Sequence, residues 1–283
     1  MSCNLSSRII GKLKQVDKYV PFYKCRIKEN FVYKISSYFQ IISKILGVII
    51  TYYLWKAVYD NSGVNVINGF SFPEMIQYII MSYITTNIVQ IGVAFDMGEE
   101  VQDGSIAINL VRPINYKLKM FMSSLATMTY RLLFPSLIVV LFYESYFYWE
   151  FGTFSLSIKN ILLYIVSVSA SFLLYFLFDF SIGIISFYTT YIWGITITKN
   201  AILKILTGQL IPLVFFPNII VKIFEFMPFM SMNYVPVMIF CGKLQCGELI
   251  ISLLKQFFWI IIFSVISKKL WDHAIRKLMI YGG

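Results

Sequence analysis

Asn160-Ile-Leu-Leu-Tyr-Ile-Val-Ser-Val-Ser-Ala-Ser-Phe-Leu-Leu-Tyr-Phe-Leu-Phe-Asp-Phe-Ser-Ile-Gly-Ile-Ile-Ser186 carries a single charge, Asp179. It is longer than the about 20 apolar residues that cross a bilayer. The whole 283-residue chain has the same character, with 58% hydrophobic and 13% charged residues and a mean hydropathy of +0.73. An ordinary soluble domain carries about 25% charge. One aqueous core of this size cannot hide so much apolar surface, so a soluble globule, a disordered chain and a small disulfide scaffold are excluded.

The reading that remains is an all-α polytopic membrane protein. Apolar runs predict six transmembrane helices, at about 36–57, 74–95, 119–142, 160–186, 197–217 and 248–268. They divide the chain into an N-terminal segment 1–35, a membrane domain 36–268 and a tail 269–283, with no room for a nucleotide-binding domain. The net charge of +10 is read by position: most Lys and Arg fall on the side of the two termini, which are therefore expected in the cytoplasm. No nucleic-acid partner follows from such a charge. Tyr52, Tyr53, Trp55 and Tyr59 at one boundary and Tyr188, Tyr191, Trp193 and Trp271 at the other read as interface anchors.

Eight Lys/Arg stand against Asp17 and Glu29 in the first 34 residues, without an apolar leader core, so no cleavable signal is expected and the first span is read as the anchor. Ile9, Leu13, Val16, Val20, Tyr23 and Ile27 recur at steps of three or four, with Lys12, Lys14, Lys18, Lys24 and Lys28 between them. This predicts a basic amphipathic helix, kinked at Pro21, lying in the inner interface against anionic lipid; a solvated basic tail is the alternative.

Between spans two and three lies Asp96-Met-Gly-Glu-Glu-Val-Gln-Asp-Gly-Ser-Ile-Ala-Ile-Asn-Leu-Val-Arg-Pro-Ile114. Its acids come first and Arg112-Pro113 closes it, which predicts one short surface helix held to the membrane domain by Ile106, Ile108 and Leu110. After span five, Pro212, Pro217, Pro228 and Pro236 interrupt a segment too apolar for an aqueous loop. Short broken helices re-entering the outer leaflet satisfy both facts.

Motifs for catalysis are absent: no phosphate loop, zinc helix or nucleophile elbow occurs, and the one histidine is His273. Catalytic and metal residues are expected to be none, and no cofactor is expected on this chain. Cys241 and Cys246 are spaced for a short disulfide, with free thiols as the default. Among charges within spans, Lys44, Lys255 and Asp179 lie where they can snorkel or face a wet crevice. Arg131, near the midplane, must face a cavity, an ion pair or backbone carbonyls. So few intramembrane carboxylates argue against an ion-coupled carrier.

In the order and placement of these pieces the chain resembles the membrane subunit of type-2 ATP-binding-cassette exporters, the six-helix permease superfamily. The resemblance rests on the amphipathic N-terminus, the Gly104…Leu110-Val-Arg-Pro-Ile114 loop, Gly208…Ile-Pro-Leu213…Phe-Pro217, Met227-Pro-Phe229, Pro236 and the terminal Gly-Gly. It implies a permease of the bacterial cell membrane that exports an amphipathic, peptide or lipid-like compound, antibiotics included. ATP and Mg would be bound by two copies of a separate ATPase, and a second permease, identical or related with the related one favoured, would complete the complex. The stretch 97–112 becomes the coupling helix, with Glu99, Glu100, Asp103, Gly104, Leu110, Arg112 and Pro113 facing the ATPase. Residues 212–241 become an extracellular re-entrant gate above a path lined by spans one, two and five. Translocation or gate candidates are then Arg131, Asp179, Pro212, Phe215, Phe216, Pro217, Pro228 and Phe229, the prolines and phenylalanines reading equally as shaping and packing residues. The competing function is a non-transporting sensor or assembly protein that binds an ATPase or kinase.

Overall fold

A computed structural model describes residues 17–32, 34–151, 157–189 and 191–281. Its elements, in chain order, are α1 (Val20–Val32), α2 (Lys34–Ser62), the strands β1 (Val66–Ile67) and β2 (Phe70–Ser71), α3 (Phe72–Val89), α4 (Val93–Gln102), α5 (Ser105–Val111) and α6 (Tyr116–Arg131). There follow α7 (Leu137–Phe151), α8 (Ile158–Gly183), α9 (Trp193–Leu206), α10 (Asn218–Phe226), α11 (Tyr234–Phe240) and α12 (Cys246–Tyr281). The fold is helical, as expected. The two-residue hairpin was not foreseen, although Asn68-Gly69, both with positive φ, is the turn chemistry that closes such a pair.

Among the described residues four helical segments are long and apolar enough to cross a membrane: Phe72–Gln102, Tyr116–Trp149, Ile158–Phe187 and Cys246–Arg276. They divide into two kinds. The apolar windows of the first and third are 61% and 56% buried, whereas those of the second and fourth are 17% and 6% buried. So α3 and α8 form the centre, with α4 and α11 packed against α8, while α7 and α12 turn most of their surface outward. Pro135, which lacks a donor, sits in a π turn over Leu132–Ser136 that joins α6 to α7.

Several expected boundaries move. The expected first span falls inside the 29-residue α2. The expected fifth span, 197–217, is not one helix: α9 has 14 residues, about 21 Å of rise, and stops at Leu206. Gly208 at φ +70° and Pro212 then turn the chain. Pro21 lies in the first turn of α1, where its missing N–H costs nothing, and so starts that helix instead of kinking it. The one surface helix expected over 97–112 is two, parted at Asp103-Gly104, where Gly104 takes φ +76°. The tail expected from 269 continues α12 as helix to Tyr281. Ile9, Leu13, Val16, Lys12, Lys14 and the terminal glycines lie outside the described residues.

Candidate functional site

The long helix that begins at Phe72 breaks after Val89 and resumes at Val93, with Gly92 left-handed at φ +84°. Inside the bundle, such a break strands polar groups away from water. In an unbroken helix the Ala94 amide would donate to the Gln90 carbonyl. Here two distant side chains take those groups separately: Arg131 on α6 donates to Gln90 O at 2.7 Å and to Asn87 O at 3.2 Å, and Asp179 Oδ2 on α8 accepts from Ala94 N at 3.1 Å. Of the alternatives open for Arg131, the structure has backbone carbonyls.

Asp179 does not snorkel. It is fully buried, and its other oxygen takes the ammonium of Lys199 on α9, itself 9% exposed. Burial of its partner draws Lys199 into the bundle. Beside it, Gln90 Nε2 donates to Asn200 Oδ1 at 2.8 Å, and Lys44 on α2 donates to Asn87 Oδ1. Four helices, α2, α6, α8 and α9, therefore converge on the broken turn between α3 and α4. Gly183 permits this approach, because a Cβ there would stand 2.6 Å from Met97 Sδ and 3.1 Å from Ala94 Cα.

Beyond the break, α4 carries the rest of the loop as a rigid corner. Asp96 Oδ2 accepts from Arg26 Nη2 of α1 at 2.8 Å, and Tyr19 OH accepts from Asn115 N at 2.9 Å, which ties the N-terminal helix to the start of α6. Burial works against the charge of Arg26, but Asp96 and Glu29 outweigh it and raise its pKa. Glu100 is turned inward: its carboxylate accepts from Lys119 Nζ at 2.6 Å, Tyr116 OH at 2.8 Å and Asn109 Nδ2 at 3.0 Å. Glu100, expected to face a partner, is half-buried and spends its carboxylate on these three donors. Ile106 is buried and Leu110 half-buried, but Ile108 is 61% and Val111 87% exposed, so Ile108 does not hold the helix down. Glu99, Asp103, Gly104, Arg112 and Pro113 are exposed as well. The hydroxyl and amide of Ser105 hold the Asp103 carboxyl below the usual carboxylate range.

At the other end of the bundle, residues 207–241 are short helices joined by irregular backbone, in the form expected from the prolines. Polar side chains of the neighbouring helices pair with that backbone. Tyr78 OH donates to Gly208 O at 2.6 Å, Ser82 Oγ to Gln209 O at 3.2 Å, and Gln256 Nε2 and Ser171 Oγ to Ser231 O at 2.8 and 2.7 Å. Asn233 Nδ2 donates to Ser82 Oγ at 2.7 Å. These residues escaped the sequence reading, which looked for charge within spans and passed over Ser, Tyr and Gln. Phe215 packs on Trp55 and Phe70, Phe216 on Phe224, and Phe229 on Phe178, which is the packing alternative. Pro212 and Pro228 are buried, and Pro217 immediately precedes α10. Cys25, Cys241 and Cys246 are free thiols.

A multi-pass helical membrane protein with a clasped helix break and an exposed two-helix corner is the class these features define. The profile of the ABC-2 family of transporter proteins matches residues 36–282, and the chain belongs to that family. It is the membrane permease component of an ATP-binding-cassette transporter, whose ATP hydrolysis resides in a separate subunit. No curated protein matches the chain in sequence.

Proposed function

We propose that this permease is half of the membrane path of an exporter that moves an amphipathic, peptide or lipid-like compound out of the cell. It crosses the cell membrane six times, with α2 and the segment of α9 together with the irregular chain after Leu206 joining the four long apolar segments, and both termini are cytoplasmic. Two ATPase copies and a second, related permease complete the assembly.

The observation that carries this reading is the α4–α5 corner. It exposes Ile108, Val111 and Arg112 on a base fixed by Ile106 and by the three donors to Glu100. Exposed apolar residues on a rigid, polar-rimmed base are what a partner subunit grips. Because α4 continues past the helix break into α3, a push on the corner is delivered to the clasp at Gln90–Gly92, beside Arg131 and Asp179.

Ile108→Asp with Val111→Asp tests this, since both residues are exposed and neither supports the fold. Insertion is expected to be normal, while co-purification of the ATPase and efflux are both lost. Normal binding and efflux would overturn the assignment of the corner as the docking element.

A further inference from the structure

A cavity of about 370 Å³ lies between α2, α3 and α7, within the about 300–1,000 Å³ of small-molecule sites. Of its lining, Ile45, Ile49, Val139 and Phe142 are exposed on the outer surface of the chain, so it opens at the side of the bundle. The wall is almost wholly apolar, and the polar residues Lys44, Asn87 and Ser136 line one end, with the Lys44 ammonium held by Asn87; the other end lies past Ile84 and Ile80. Along α3, Asn87 lies nearer than Ile80 to α4, the helix that α1 grips through Arg26. The polar end therefore points toward the α1 side.

The charge at that end is unbalanced. Among the described residues no carboxylate stands within ion-pair distance of Lys44, whereas Arg26, Lys119, Lys199 and Lys243 each have at least one. The charge that acts on Lys44 is the like charge of Arg131, which donates to the carbonyl of the same Asn87. A cation in an apolar environment is retained where it has a partner or water.

We infer that the crevice holds an anionic phospholipid of the leaflet on the α1 side, its headgroup drawn toward Lys44 and one acyl chain lying between α2, α3 and α7. Lateral access selects a membrane molecule. The polar end toward α1 and apolar end away from it match the order of head and chain in that leaflet. Lys18, Lys24 and Lys28, exposed at α1, add attraction for anionic lipid on the same side. A resident lipid goes beyond the transport reading and does not depend on it.

The test uses the full chain in vesicles of phosphatidylcholine and phosphatidylglycerol, with a trace of either lipid carrying a diazirine midway along one chain. Peptide mass spectrometry then locates the cross-links. Phosphatidylglycerol is expected to label Ile80 and Ile84 about fivefold more than phosphatidylcholine does, the worth of one lysine facing an anionic lipid. Lys44→Arg keeps that preference and Lys44→Met abolishes it. Val139→Trp, placed at the mouth, removes the labelling of both residues by either probe. Equal labelling by the two probes in the native chain, or an unchanged preference in Lys44→Met, would overturn the inference. If Lys44→Met fails to insert, the native pair of probes and Val139→Trp decide it.

Discussion

Lys199 and Lys44 both reach the break in the α3–α4 helix, and the protein treats them differently. Lys199 meets Asp179, a fully buried acid whose second oxygen serves the Ala94 amide. Lys44 meets only the amide of Asn87 and borders a crevice open at the side. The first arrangement is closed: charge, counter-charge and backbone donor are all spent within the bundle. In the second, a positive charge waits on something from outside the chain. A buried charge spent on its counter-charge holds structure, whereas one held by a neutral amide alone leaves room for a counter-charge, because both follow from the cost of an unpaired charge away from water.

Breaking the closed pair is expected to have the largest effect. Asp179→Leu leaves the ammonium of Lys199 and the amide of Ala94 without an acceptor, a loss of about 3–5 kcal/mol for a buried pair missing one member. Thermal stability in detergent and the amount of inserted protein read this loss. The double variant Asp179→Leu with Lys199→Met is expected to regain most of it, and a double variant as unstable as the single one would refute the pairing.

Arg131→Leu comes next, at about 2–3 kcal/mol, because two carbonyls of the broken turn lose an ionic donor. Arg131→Lys sharpens the comparison. The ammonium keeps the charge but not the planar fork, so it serves one carbonyl well and is expected to restore about half the loss in melting temperature. Full restoration by lysine would mean that charge alone matters at this position. The smallest effect belongs to Lys44→Met, under about 1 kcal/mol, since it removes one hydrogen bond to an amide beside an open crevice. A loss as large as that of Asp179→Leu would show that Lys44 is as firmly locked in the bundle as Lys199.

Much of the architecture was legible in the chain. Asn160–Ser186 announced a spanning helix, four prolines announced the broken segment, and the spacing around Val20, Tyr23 and Ile27 announced α1, whose half-buried and exposed residues alternate as read. Of the candidate site, Arg131 and Asp179 were found because a charge within an apolar run stands out. That Glu100 bonds inward was not legible. In sequence it is one of three similar acids on a loop, and only its nine-residue reach to Asn109 and longer reaches to Tyr116 and Lys119 distinguish it from Glu99 and Asp103.

The sequence by itself determined which stretches are apolar enough to seek hydrocarbon and where prolines interrupt them. These are properties of composition and of local backbone chemistry, additive over neighbours. Only the tertiary structure decided what satisfies the broken turn. The partner of Gln90 O lies 41 residues away and that of Ala94 N lies 85 away. Ser82, Ser171 and Gln256 likewise acquire their task from an irregular segment that is distant in the chain. A backbone group removed from water accepts whichever donor or acceptor the packing delivers, and packing is fixed by how whole helices fit together.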